Sequence, residues 1–128
     1  MTNAVVPPKA QVSSIVKTIL QKTLQNQANW TILDKTDQSC QLILDRTRIK
    51  LEFESPTVEP DRVMLTIYPN QQEKSCEIVF VVVQEGEPEW DMYFKLYSAA
   101  CNVAYKWNEL LNDLSADVNK SGSIGHQV

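Results

Sequence analysis

The sequence predicts an α+β domain: an N-terminal helix, a five-stranded antiparallel meander sheet, and a long C-terminal helix, both helices on one face of the sheet. Three observations predict it. Apolar residues recur at helical spacing near the start, at a spacing of two from about Trp30 to Val83, and at helical spacing again after Pro88. The connections between strand candidates are short, which makes a meander the simplest topology.

Residues 1–8 read as an irregular lead-in, stiffened by Pro7 and Pro8. From Lys9, the residues Val12, Ile15, Val16, Ile19, Leu20 and Leu24 form one stripe along a helix expected to reach about Ala28. Strands follow at Trp30 to Lys35, Cys40 to Asp45 and Arg48 to Glu54. In the third, Ile49, Leu51 and Phe53 alternate with Arg48, Lys50, Glu52 and Glu54, giving one dry face and one wet face. Pro56 and Pro60 make Ser55 to Asp61 a loop.

The fourth strand, Arg62 to Tyr68, sets Val63, Leu65 and Ile67 against Met64, Thr66 and Tyr68. The segment from Pro69 to Lys74 is a polar turn. The fifth strand, Cys76 to Val83, is apolar on both faces. Gln84 to Glu87 then breaks the sheet, and Pro88 suits the first turn of a helix with Glu89 and Asp91 at its positive end. That helix is expected to run to about Val118. Its stripe holds Trp90, Phe94, Tyr97, Cys101, Ala104, Leu111 and Leu114, with Trp107 beside it and Tyr93 and Tyr105 off it. One domain over residues 9–118 and a mobile tail over 119–128 complete the expected organisation.

A chain of 128 residues, 43% hydrophobic and 22% charged, can bury a core without metal or disulfide support. A net charge of -4 argues against nucleic acid, and no apolar run approaches a membrane span. With no signal-peptide pattern at the start and three scattered cysteines, the expected location is cytoplasmic. Cys40, Cys76 and Cys101 read as reduced.

Catalytic chemistry finds little to work with. The single histidine, His126, sits in the tail, where nothing fixes it against a nucleophile. No cysteine or histidine pair has metal-ligand spacing, and the three glycines form no phosphate cradle. The expectation is therefore no catalytic residue, no metal, no cofactor and no enzymatic activity. The alternative is a small-molecule site or small enzyme using acidic and aromatic residues from Glu85 to Trp90.

The helix–sheet–helix order resembles frataxin-like, RWD-like and kinase-associated domains in element order alone, which implies no function. In size, acidity and amphipathic end helix the chain also resembles small acidic secretion chaperones, implying a protein-binding role. Those carry a helix midway through the strands, and the Pro-interrupted segment from Ser55 to Asp61 leaves no room for one.

The expected function is a protein-interaction module, binding a protein partner or a second copy through the sheet face away from the helices. Two helices cover one face, so one apolar set of the fifth strand is left on the other. Which set that is, Ile78, Phe80 and Val82 or Val79, Val81 and Val83, the pattern leaves open; the expected interface is Met64, Tyr68, Val79, Val81 and Val83, rimmed by Arg48, Lys50, Glu52 and Glu54. The competing occupant of that face is the lead-in from Ala4 to Pro7, or the Pro56 loop. The tail offers only Ile124 and Val128 as sizeable apolar side chains, too few to offset roughly 1–2 kcal/mol of backbone entropy per ordered residue. Deleting Ser121 to Val128 should accordingly leave the melting temperature unchanged within about two degrees.

Overall fold

The computed structural model describes residues 9–70 and 78–126. The lead-in, most of the polar turn, and Cys76 with Glu77 at the start of the expected fifth strand lie outside the described residues. The architecture is the expected α+β meander, with the sheet in the order β1-β2-β3-β4-β5. The strands are β1 (Thr31–Asp34), β2 (Ser39–Ile43), β3 (Thr47–Glu54), β4 (Arg62–Pro69) and β5 (Val79–Gln84). Helix α1 is Lys9–Leu24, and the expected C-terminal helix is two pieces, α2 (Trp90–Tyr105) and α3 (Trp107–Val118).

Helix α1 buries Val12, Val16 and Leu20, while Ile15 and Leu24 on the shoulders of the stripe stay exposed. It stops earlier than the expected Ala28, because Asn26 takes a left-handed conformation at φ 59°. Gln27 N–H then bonds to Lys22 C=O and Asn26 N–H to Thr23 C=O. Those two bonds are the Schellman closure, and asparagine is one of the few residues that accepts its left-handed position. The chain then turns into β1 through a buried relay. Trp30 Nε1–H donates to Thr23 Oγ1 at 3.0 Å, and the Thr23 hydroxyl donates to Ile19 C=O at 2.7 Å.

Helix α2 crosses the sheet and touches all five strands, and α1 packs along it. Its buried side chains are Tyr93, Leu96, Tyr97, Ala100 and Cys101, which meet Leu42, Ile49, Leu51, Val63, Leu65 and Val83 beneath. The buried stripe is thus rotated from the expected one. Tyr93 is inside, and Phe94 lies at the core's edge, stacked on Trp90 at 5.2 Å and tilted against Phe53 at 5.9 Å.

The break between α2 and α3 falls at Lys106, which is left-handed at φ 56°. Length explains its place. Sixteen residues of α2 rise about 24 Å, enough to cross five strands set ~4.8 Å apart. A continuous helix would overrun the sheet, and α3 has no residue buried, so Leu111 and Leu114 are not part of the core. Asn102 Oδ1 accepts the Asn108 N–H at 3.0 Å across the joint, satisfying one of the amides that a helix start leaves open.

The relay at Trp30 gives a direct test of how α1 is fixed. Replacing Thr23 by valine keeps the shape and removes the one acceptor that the buried indole N–H has among the described residues. Thr23→Val should destabilise the fold by about 1–3 kcal/mol in urea unfolding, with the slope unchanged.

Candidate interaction surface

Register decides which side chains of the sheet are open. Val63 is opposite Val83, Leu65 opposite Val81 and Ile67 opposite Val79, so these residues share the face under α2. Val83 is buried, and Val81 packs against the core. The expected placement of Val79, Val81 and Val83 on the far face is therefore corrected: they belong to the helix side. Met64 and Tyr68 do lie on the far face. There Met64 is opposite Val82 and Thr66 opposite Phe80, while Ile78 continues the same alternation.

The open apolar side chains are Ile78 and Phe80, each 55% exposed, and Val82, 39% exposed, alongside half-buried Met64 and Tyr68. One sequence signal pointed to this set: Gln84, polar and in phase with Val82, Phe80 and Ile78. Glu77, in phase with the other set, pointed the opposite way, and the pattern alone left the two balanced.

On β3 the same face is charged. Lys50 pairs with Glu52 at 3.4 Å, and Arg62 on β4 bonds to Glu54 and, at 3.3 Å, to Glu59. Arg48 lies 4.5 Å from the centre of the Tyr68 ring. Its Nε is buried and has no hydrogen-bond partner among the described residues. The charges border the apolar strip on one side, and the backbone edge of β5 borders it on the other.

That edge follows from one bond. Glu85 N–H donates to Asp61 C=O, so by antiparallel alternation the odd-numbered residues of β5 bond to β4. The N–H and C=O groups of Ile78, Phe80, Val82 and Gln84 point outward. Those of Gln84 are taken by Glu87, whose Oε1 accepts Gln84 N–H at 2.7 Å and whose N–H bonds to Gln84 C=O. The Pro56 loop does not fold over the face: Ser55 Oγ closes it on Asp61 at 2.6 Å, and Val58 stands 95% exposed. The lead-in from Ala4 to Pro7 lies outside the described residues.

The segment from Glu85 to Trp90 is a turn built around Gly86 at φ 100°. Glu87 is committed to the β5 terminus, and Trp90 is stacked on Phe94. Among the described residues no cluster of three or more His, Cys, Asp or Glu side chains is placed to hold a metal ion. No helix among them is long and apolar enough to cross a membrane.

Two cysteines treated separately in the sequence come together. Cys40 on β2 and Cys101 on α2 are fully buried with their sulfurs 4.0 Å apart, beyond the ~2.05 Å of a disulfide. Contact with Cys101 and then burial hold the Cys40 thiol protonated, far above its ordinary range. Tyr97 donates to Gln38 C=O at 2.8 Å beside them, and the Tyr105 hydroxyl lies 3.2 Å and 3.1 Å from the carbonyls of Asp34 and Ser39. These groups pin α2 to the β1–β2 turn.

No family model, curated protein or solved structure matches this chain. The far face therefore has to be interpreted from its own residues. A charge placed on each side of β5 separates structure from surface. Val81→Glu should leave the chain largely unfolded by circular dichroism, because an unpaired carboxylate would be trapped under α2. Val82→Glu should keep the native spectrum and shift the melting temperature by only a few degrees.

Proposed function

We propose that this chain is a non-enzymatic protein-interaction module whose binding surface is the far face of the sheet along β5. The observation that carries this reading is the strip of Ile78, Phe80 and Val82 with Met64 and Tyr68. Apolar side chains at the centre and charges at the rim match the anatomy of protein interfaces, and soluble monomers seldom leave such a strip uncovered. The open amides of β5 add directional bonds that an approaching chain would satisfy. A small-molecule site around Glu85 to Trp90 has less support, since its best-placed carboxylate and its indole are already engaged within the fold. The proposed setting is the cytoplasm, where closely placed but unbonded thiols such as Cys40 and Cys101 are ordinary.

Sedimentation of the native chain, purified and in cell extract, provides the test. The protein should run in a complex, with itself or with a partner, and Val82→Glu should abolish that complex. Val58→Glu, on the solvent-facing loop, serves as the control and should leave it intact. A profile identical for all three proteins would overturn the assignment of the surface.

A further inference from the structure

The far face is an apolar sheet surface without a helix, and α3 is an apolar helix without a sheet. Trp107, Leu111, Leu114 and Val118 fall at spacings of four, three and four residues, which makes one seam along α3. Leu111, Leu114 and Val118 are about half exposed, and among the described elements α3 packs chiefly on α2, with Trp107 at the edge of the core. A lone helix of 12 residues is marginal in water, so the seam requires a surface to lie on.

We infer that α3 of one copy covers the far face of a second copy, the exchange being reciprocal in a closed dimer. This rests on the assignment of the far face as the binding surface and names its occupant.

The chain's own α3 cannot reach the strip. Helix α2 ends at the β1–β2 turn, where Tyr105 bonds, and α3 begins directly after Lys106 with no linker. The strip on β5 lies four strand spacings away, ~19 Å, and on the opposite side of the sheet. Leu114 is only about 10 Å along α3 from Trp107.

Charge selects the same pairing. Within α3 the charged residues are Glu109, Asp113 and Asp117, with no lysine or arginine. On the far face Lys50 and Arg62 already have carboxylates, whereas Arg48 has none among the described residues and leaves a buried Nε without an acceptor. An acidic helix beside the strip places carboxylates near the Arg48 guanidinium, the one cation of this face with no carboxylate among the described residues. Asp117 gives up only an exposed contact with Lys120 at 3.6 Å, a pair of little worth in water.

Area favours a closed exchange over a chain of single contacts. If one helix–sheet contact buries on the order of 400 Å² a side, two together reach the ~800 Å² per partner of a stable interface, and one alone makes a weaker one.

The test uses full-length protein and sedimentation equilibrium. The wild type should be a dimer, and Leu114→Glu and Phe80→Glu should each be monomeric with native circular dichroism. Mixed in equal amounts they should associate, more weakly than the wild type, through the single contact of the intact helix of Phe80→Glu with the intact face of Leu114→Glu. Arg48→Glu should weaken the dimer about tenfold or more, and Asp113→Lys added to it should restore part of the loss. A dimer that survives Phe80→Glu would mean that helices pair with each other, and one that survives Leu114→Glu would mean that faces or β5 edges do. Either result overturns the exchange, as does a mixture that stays monomeric. A wild type that is monomeric when pure yet loses a partner on Val82→Glu would overturn the exchange and leave the proposed function standing.

Discussion

The contact of α2 with the sheet is the constraint on which the other parts of the structure depend. Tyr93, Leu96, Tyr97, Ala100 and Cys101 lie over the five strands, and no other element touches all of them. Leu51, Leu65 and Leu96 are among the largest wholly buried side chains, so the deepest part of the core is where α2 meets β3 and β4. Helix α1 does not span the sheet in this way. It lies along α2, and its apolar stripe closes the core from that side. Because both helices are used on one face, no helix among the described residues covers the other.

The same contact fixes the ends of α2. At its C-terminal end, Tyr97 bonds to the Gln38 carbonyl of the β1–β2 turn, and Tyr105 lies against the Asp34 and Ser39 carbonyls. The turn, with Gln38 at φ 53°, presents its Gln38 carbonyl to α2, and the Tyr97 hydroxyl donates to it. Burial, with the neighbouring thiols, keeps the Tyr97 hydroxyl protonated well beyond the usual tyrosine range, so it remains a donor. Helix α2 is therefore anchored where the sheet ends, and beyond Trp107, which packs at the core's edge, α3 runs past it with no residue buried.

Much of this was legible because the signals were local. The 3.6 spacing of Val12, Val16 and Leu20, and the alternation through β3 and β4, each follow from one element facing one core. Three features were not legible, and each depends on something non-local. The phase of β5 is set by its pairing with β4, while the polar residues that flank the apolar run in the sequence, Glu77 and Gln84, have opposite parity and favour opposite phases. The break at Lys106 has no glycine or proline to announce it and is set by the width of the sheet. The approach of Cys40 to Cys101 joins residues 61 positions apart and depends on α2 crossing β2. Asn26 was the exception, since a left-handed asparagine closing a helix is a local signal that the apolar stripe concealed.

The two apolar surfaces left by this arrangement are connected in energy even though they do not touch in one chain. Each exposed leucine or phenylalanine that becomes buried contributes on the order of 1.5–3 kcal/mol, and neither α3 nor the β5 strip gains this within the monomer. In the proposed exchange, ordering of α3 and covering of β5 are a single event, because there the helix lies on the surface that it covers. The exchange we infer would make the stability of the last helix rise with protein concentration, as for any element that binds only a folded partner. Helix α2 decides both halves of that event. Its length frees α3 at one edge of the sheet, and its occupation of one face leaves the other open for the helix of a second chain.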